Sequence, residues 1–306
     1  MVDESAVLAA LGYAPDSPVT WEPEGETPGS AVRLIVAGES PFEAIVRESS
    51  EPEAARNHAA VFEALVNAEY AYAPKLLGFA GEATIELAVP GITAMQLVPP
   101  AGAAEAAMLA LAAWHNLPLR EGLDWGRSPA DLHPPAEVPL HRLGFSAVER
   151  DPALEPLLQA QDLLVESPFG FAHRNAIAAN VFLAPGRAWL VDYGLAGFGP
   201  QYFDVAAFLL TSGIEAAGRR ALAASYGRHR DIPAEQASAD VDLFGLLWGI
   251  GWLLELPRRL ITSLGDDPVT DSLKLAATRI DRGMRQPAGD SPIARAIRAT
   301  LWPANG

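Results

Sequence analysis

Between Phe169 and Leu209 the chain reads FGFAHRNAIAANVFLAPGRAWLVDYGLAGFGPQYFDVAAFL, and four residues in it have side chains suited to acting together: His173, Asn175, Asn180 and Asp192. The Asp192 carboxylate and the Asn180 amide oxygen are hard oxygen donors of the kind Mg²⁺ takes. Asn180 opens the run NVFL and Asp192 follows AWLV, with a β-hairpin-like pair between them. The Asn175 amide can orient a hydroxyl by accepting its hydrogen bond, but it takes up no proton near neutral pH.

Positioning these groups falls to a β-rich first third and a mainly helical remainder. Residues 1–12 form a short amphipathic segment, and Trp21 to Ser30 reads as a Gly/Pro/Glu loop. Ala31–Ala37 and Phe42–Glu48 alternate around Gly38-Glu39-Ser40-Pro41, which predicts a hairpin. A helix follows Ser50, with Pro52 in its first turn and Val61, Phe62, Leu65 and Val66 as its apolar stripe, and runs to about Tyr70. Lys75–Ala80 and Thr84–Val89 are two further strands, and Pro90-Gly91 breaks the chain. Beyond it, Glu105–Leu117 is an Ala/Leu-rich helix, 120–141 is a Pro-rich connection, and Leu154–Val165 is helical. From Tyr202 onward the pattern is helical, punctuated at Gly213, Pro233, Pro257, Pro268 and Pro287.

The order His173-x-Asn175-x₄-Asn180, then Asp192-x-Gly194, resembles the catalytic segment H-x-D-x-x-x-x-N…D-x-G of the protein-kinase-like fold. The short Asn180-to-Asp192 separation, the downstream GPQYFDVA and the upstream AAWHNLPL resemble the aminoglycoside phosphotransferase and choline kinase-like family. The resemblance implies an α+β bilobal fold. Residues 1–91 would be the nucleotide-binding-type lobe, and 92–306 the helical lobe with the catalytic-loop-like segment 169–204 and the acceptor pocket. It implies ATP, or another nucleoside triphosphate, with Mg²⁺ held by Asn180 and Asp192, and transfer of the γ-phosphoryl to a hydroxyl of a small molecule, a cationic amine or a sugar. His173 and Asn175 take the catalytic-loop places, and Asp204 is read as structural, bonding the backbone of the 173–175 loop. Glu86–Val89 would meet the base through their backbone, Gly25 to Ser30 would cover the phosphates with Gly25, Gly29 and Ser30, and Arg47 would contact the α/β-phosphates. The carboxylate expected to pair with Arg47 falls by count at His58, with Glu53 and Glu63 the alternatives. If His58 holds that place, the pair is missing.

Asn175 stands where the family pattern has Asp. General-base catalysis contributes about 10²–10⁴ in rate. Because the phosphoryl-transfer transition state is loose, positioning and electrostatics leave residual catalysis without a base. The expectation is therefore a phosphotransferase homologue whose transfer is lost or strongly reduced, with a binding or regulatory role. An active small-molecule kinase using a substitute base is the alternative, and a helical scaffold without ligand ranks last.

Composition narrows the classes further. The 306 residues carry a formal charge of −16 and no cysteine, which excludes disulfides, thiolate metal sites and cysteine nucleophiles. An acidic chain is a poor partner for nucleic acid or anionic membranes. The N-terminus lacks a basic, apolar export signal, and the apolar run Leu243–Leu254 is shorter than the roughly 20 residues that span a bilayer, so it reads as a core helix and a cytoplasmic location is expected. Residues 1–91 hold four basic and 15 acidic side chains, a net of −11. Pro28 withholds one backbone donor from the phosphate loop, and Glu22, Glu24 and Glu26 crowd it with like charge. Three features are set aside: the glycines of 194–199 as turn residues, His133 and His141 as lacking ligand spacing, and Trp248 and Trp252 as core.

Overall fold

The computed structural model describes residues 3–14, 16–23, 31–36, 41–47, 52–81, 83–117, 155–262 and 267–303. Its N-terminal part is a five-stranded antiparallel sheet, β1 (Val19–Pro23), β2 (Ala31–Val36), β3 (Phe42–Arg47), β4 (Leu76–Ala80) and β5 (Ala83–Leu87), in the order β1-β2-β3-β5-β4. The period-two pleat sorts its side chains. Leu34, Val36, Ala44, Val46, Ala83 and Ile85 point to one face and bury a small core with Val7 of helix α1 (Glu4–Ala10), whose N-cap is Asp3 accepting from the Ala6 amide. Arg33, Ile45, Arg47, Thr84 and Glu86 alternate with these and point to the other face. The register Ile45↔Glu86 and Arg47↔Thr84 makes Arg47 and Glu86 diagonal neighbours across two strands. The β1 strand corrects the reading of a loop from Trp21: Val19–Pro23 pairs with β2 along its whole length. Helix α2 (Pro52–Asn67) opens on proline, whose missing N–H costs nothing at a first helical position. It buries Val61, Phe62 and Leu65, whereas Val66 of the expected stripe is half exposed.

After Gly91 the chain enters the mainly helical part through β6 (Ile92–Thr93) and α3 (Ala101–His115). Alanines dominate α3, so neighbours approach it closely, and nine of its residues, Trp114 and His115 among them, are buried, while Glu105 and Leu109 face solvent. Helix α4 (Glu155–Val165) leads into the segment singled out above, which folds as β7 (Phe169–Ala172), a single 3₁₀ turn (Ala178–Asn180), the hairpin β8 (Val181–Ala184) with β9 (Arg187–Leu190), and β10 (Gly197–Pro200). β10 pairs with β7, and β6 with β8, so the 197–199 glycines serve a strand as well as turns. Helices α5 (Tyr202–Thr211), α6 (Ala216–His229), α7 (Ala234–Thr262), α8 (Asp267–Arg285) and α9 (Pro292–Leu301) complete the core. Helix α7 continues through Pro257 where punctuation was predicted. It is long and apolar enough to cross a membrane, yet Val241, Leu243, Phe244, Leu246 and Leu247 are buried in the main core and Trp252 joins them. The architecture is thus α+β, an antiparallel sheet followed by a mostly helical part.

Candidate active site

The loop after β7 is fixed from below by Asp204, in the first turn of α5. Its buried carboxylate accepts the His173 amide at 2.6 Å, the Arg174 amide at 2.7 Å and the His115 Nε2–H at 3.0 Å. The expected bond from Asp204 to the 173–175 backbone is therefore present. His115 in turn accepts the Tyr226 hydroxyl on Nδ1 at 2.8 Å. Burial pushes the His115 imidazole below its ordinary range despite the Asp204 partner, so the ring is a neutral link between α6, α3 and the loop.

His173 is wholly buried, donates Nε2–H to the Val191 carbonyl at 3.1 Å, and packs beside Trp114 and Tyr193. Burial depresses its pKa as well, against the pull of Asp204 and Asp192. It ties the 173–175 loop to the segment after β9 that carries Asp192 and, being inside the core, works by position. The backbone at both ends of this tie is unusual: Arg174 has φ +60° and Asp192 φ +68°, in the left-handed region. Such residues persist only where their surroundings over-determine them, and they cluster at functional sites.

The three remaining residues meet. Asn175 Nδ2 donates to Asp192 Oδ2 at 2.8 Å, and Asn180 Nδ2 donates to the same oxygen at 3.3 Å and to the Asn175 carbonyl at 2.9 Å. A carboxylate and a carbonyl only accept, so both amides must turn their nitrogens this way. That leaves the Asn180 Oδ1, the Asn175 Oδ1 and the rest of the Asp192 carboxylate as oxygen acceptors. The set fits a hard divalent cation at Asn180 and Asp192. Among the described residues, no group of three or more His, Cys, Asp or Glu gathers elsewhere as an alternative metal centre.

Above this cluster a cleft is lined by Arg33, Ile45, Arg47, the 86–89 segment, Phe182 and Val191. Arg47 Nε lies 3.3 Å from Glu86 Oε1 but off its N–H direction, an ion pair rather than an aligned hydrogen bond. Burial disfavours both charges. It is outweighed at Glu86 by Arg47 and by a hydrogen bond from His58, which hold the carboxyl below its usual range. At Arg47 it is outweighed by Glu86 and, more distantly, Asp192, which raise the guanidinium. His58 occupies the helix position expected for an acidic partner. The pair is nevertheless not missing, because Glu86 supplies the carboxylate from β5. Glu63 is exposed, and Glu53 lies outside the residues whose side chains are described. In the 86–89 segment, Leu87 N–H is taken by the Lys75 carbonyl and Ala88 N–H by the Glu43 carbonyl. Gly25, Gly29 and Ser30 of the predicted phosphate loop, and His133 and His141, lie outside the described residues.

Sequence reasoning missed the side chain of Glu86, treated as backbone only, and the cleft residues Arg33, Ile45, Phe182 and Val191. Phe182 was findable, since Val181 and Leu183 on either side are core and alternation turns it to the other face.

A twisted antiparallel sheet over a helical part, with an Asn/Asp oxygen cluster below a cleft and a strand arginine above it, defines a kinase-like fold. The chain belongs to the phosphotransferase enzyme family (APH), whose family model matches residues 30–239. Solved structures with the same fold include a choline/ethanolamine kinase family protein from Mesorhizobium loti, with TM-score 0.63 and 15% identity over 97% of this chain and 98% of that one. Choline kinase LicA from Streptococcus pneumoniae is similar with TM-score 0.62 and 13% identity, over 91% and 97% of the two chains. The streptomycin–ATP–APH(2″)-IIa ternary complex gives 0.55 and 12% identity, over 92% and 99%. No curated protein matches the sequence.

Proposed function

We propose that this chain binds a nucleoside triphosphate with Mg²⁺ between its sheet and the 173–192 cluster, and that its transfer of phosphoryl to a small-molecule hydroxyl is lost or strongly reduced. The observation that carries this reading is the amide of Asn175, donating to Asp192 where the family pattern has a carboxylate. When bound, Mg²⁺ and the triphosphate would supply the transferable group and neutralise its charge. Asn180 Oδ1 and the Asp192 carboxylate would hold the cation, and Arg47 the phosphates. Asn175 Oδ1 can accept a hydrogen bond from an acceptor hydroxyl and so orient it. It cannot remove the proton.

The intact remainder of the cluster supports a second reading, an active kinase in which another group accepts the proton. The relatives named for choline, ethanolamine and streptomycin support a hydroxyl-bearing amine or sugar as the acceptor class for either reading.

Two measurements decide. A melting series with Mg²⁺, ATP and both together should show a shift with both, since a ligand bound only to the native state stabilises it by RT ln(1 + [L]/Kd). No shift at millimolar Mg·ATP ends the nucleotide reading. ADP release is then compared for wild type and Asn175→Asp with choline, ethanolamine, homoserine, methylthioribose, fructosamines and aminoglycosides. Restoring the base should raise turnover by about 10²–10⁴ on an acceptor that binds. Equal turnover by both proteins would show that Asn175 is not the sole defect.

A further inference from the structure

We propose that the anchor of Arg47 in this chain is Glu86 of β5, and that His58 of α2 is a positioning residue linking that anchor to the Asp192-Tyr193-Gly194 segment. The tautomer of His58 follows from its partners. The Tyr193 backbone amide can only donate, and it lies 3.1 Å from His58 Nδ1, so Nδ1 is the acceptor. The ring proton is then on Nε2, 3.1 Å from Glu86 Oε1, and donates to it. Thr84 Oγ1 donates to the same oxygen at 3.3 Å, and Arg47 completes its surroundings. His58 also stacks on the Tyr193 ring, with centroids 5.2 Å apart and planes 26° apart. Glu86 and His58 are both buried, so each polar group here depends on the others for its partners.

The arrangement divides labour between elements in a definite way. Arg47 and Glu86 sit on paired strands of one sheet, and their diagonal register holds them together whatever α2 does. What α2 contributes is the step from Glu86 to the Tyr193 amide, next to the Asp192 carboxylate. A glutamate at position 58 could not serve as that link, because it would face a second buried carboxylate and could not donate to it.

The phosphate-binding consequence rests on the nucleotide reading above, so the test has one arm that needs nucleotide and one that does not. In the first, Glu86→Gln should weaken Mg·ATP binding about tenfold or more, through loss of a charge-assisted partner. His58→Glu alone should lower the melting temperature. The double variant His58→Glu/Glu86→Gln, which returns one carboxylate to Arg47 from the helix side, should recover Mg·ATP affinity to within about threefold of wild type. In the second, ring-nitrogen NMR of the ligand-free wild type should show His58 as the neutral Nε2–H tautomer, and Glu86→Gln should shift that signal. Unchanged Mg·ATP affinity in Glu86→Gln, or an Nδ1–H tautomer in the wild type, overturns the proposal. If the wild type binds no Mg·ATP, the nucleotide reading falls and the NMR arm still decides the link.

Discussion

Asp204 shows how much can hang on one side chain. Its truncation would strand three donors at once, the amides of His173 and Arg174 and the His115 ring. Each stranded donor costs about 1–3 kcal/mol, so Asp204→Ala should lose about 3 kcal/mol or more, read from urea denaturation. The neighbouring imidazoles add a pH dependence of definite sign. Burial holds His115 and His173 below the ordinary value of 6.5, so the unfolded chain binds protons there before the native state does. The stability they permit is present above pH 6.5 and is lost as pH falls from 6.5 toward their depressed values. The slope is about 1.4 kcal/mol per pH unit for each histidine. His115→Gln should remove one proton's worth of that slope in a melting series between pH 7 and 5; an unchanged slope would mean His115 is not held neutral.

At the level of elements, the joint between the sheet and the helical part is the sharpest constraint. Gly91 has φ +111°, and a Cβ there would lie 2.2 Å from the Leu183 carbonyl oxygen on β8, backbone that cannot step aside. Gly91→Ala should therefore cost about 2–4 kcal/mol by strain and overpacking together, measured as a shift in denaturant midpoint. A small effect would mean that β6 and β8 can separate cheaply. Much of this level was legible in the sequence. Alternation in Ala31–Ala37 and Phe42–Glu48 and the stripe of α2 are period signals that survive without a structure, and the H-x-N…D-x-G order marked the cluster. The strand Val19–Pro23 was not legible, because it is short and runs into a Gly/Pro/Glu tract that reads as loop. The role of Glu86 was hidden for a different reason. It arises from the β3–β5 register, a long-range pairing that no local pattern encodes, so His58 read as a missing partner when the partner stood on another strand.

Across the whole molecule, charge works against the ligand proposed for the site. Residues 1–91 carry a net −11 of the chain's −16, and a magnesium-complexed triphosphate is itself an anion. Its approach would be opposed by the summed field of that acid excess, while the proposed contacts, Arg47 among them, would be few and at bonding distance. Salt screens the two kinds unequally. At 0.1 M the Debye length is about 10 Å, so repulsion from remote acids is largely removed while a partly buried contact at bonding distance is little affected. Association of Mg·ATP should therefore quicken with ionic strength, and its Kd should fall about two- to threefold between about 20 and about 200 mM KCl, the reverse of a basic cleft. The ligand-free protein should report the same field, because self-repulsion at −16 opposes the compact state and its melting temperature should rise over that range. Weaker Mg·ATP binding at high salt, with the melting temperature still rising, would place the dominant electrostatics at Arg47 and the 175–192 cluster. The acid of the N-terminal part would then act on stability alone.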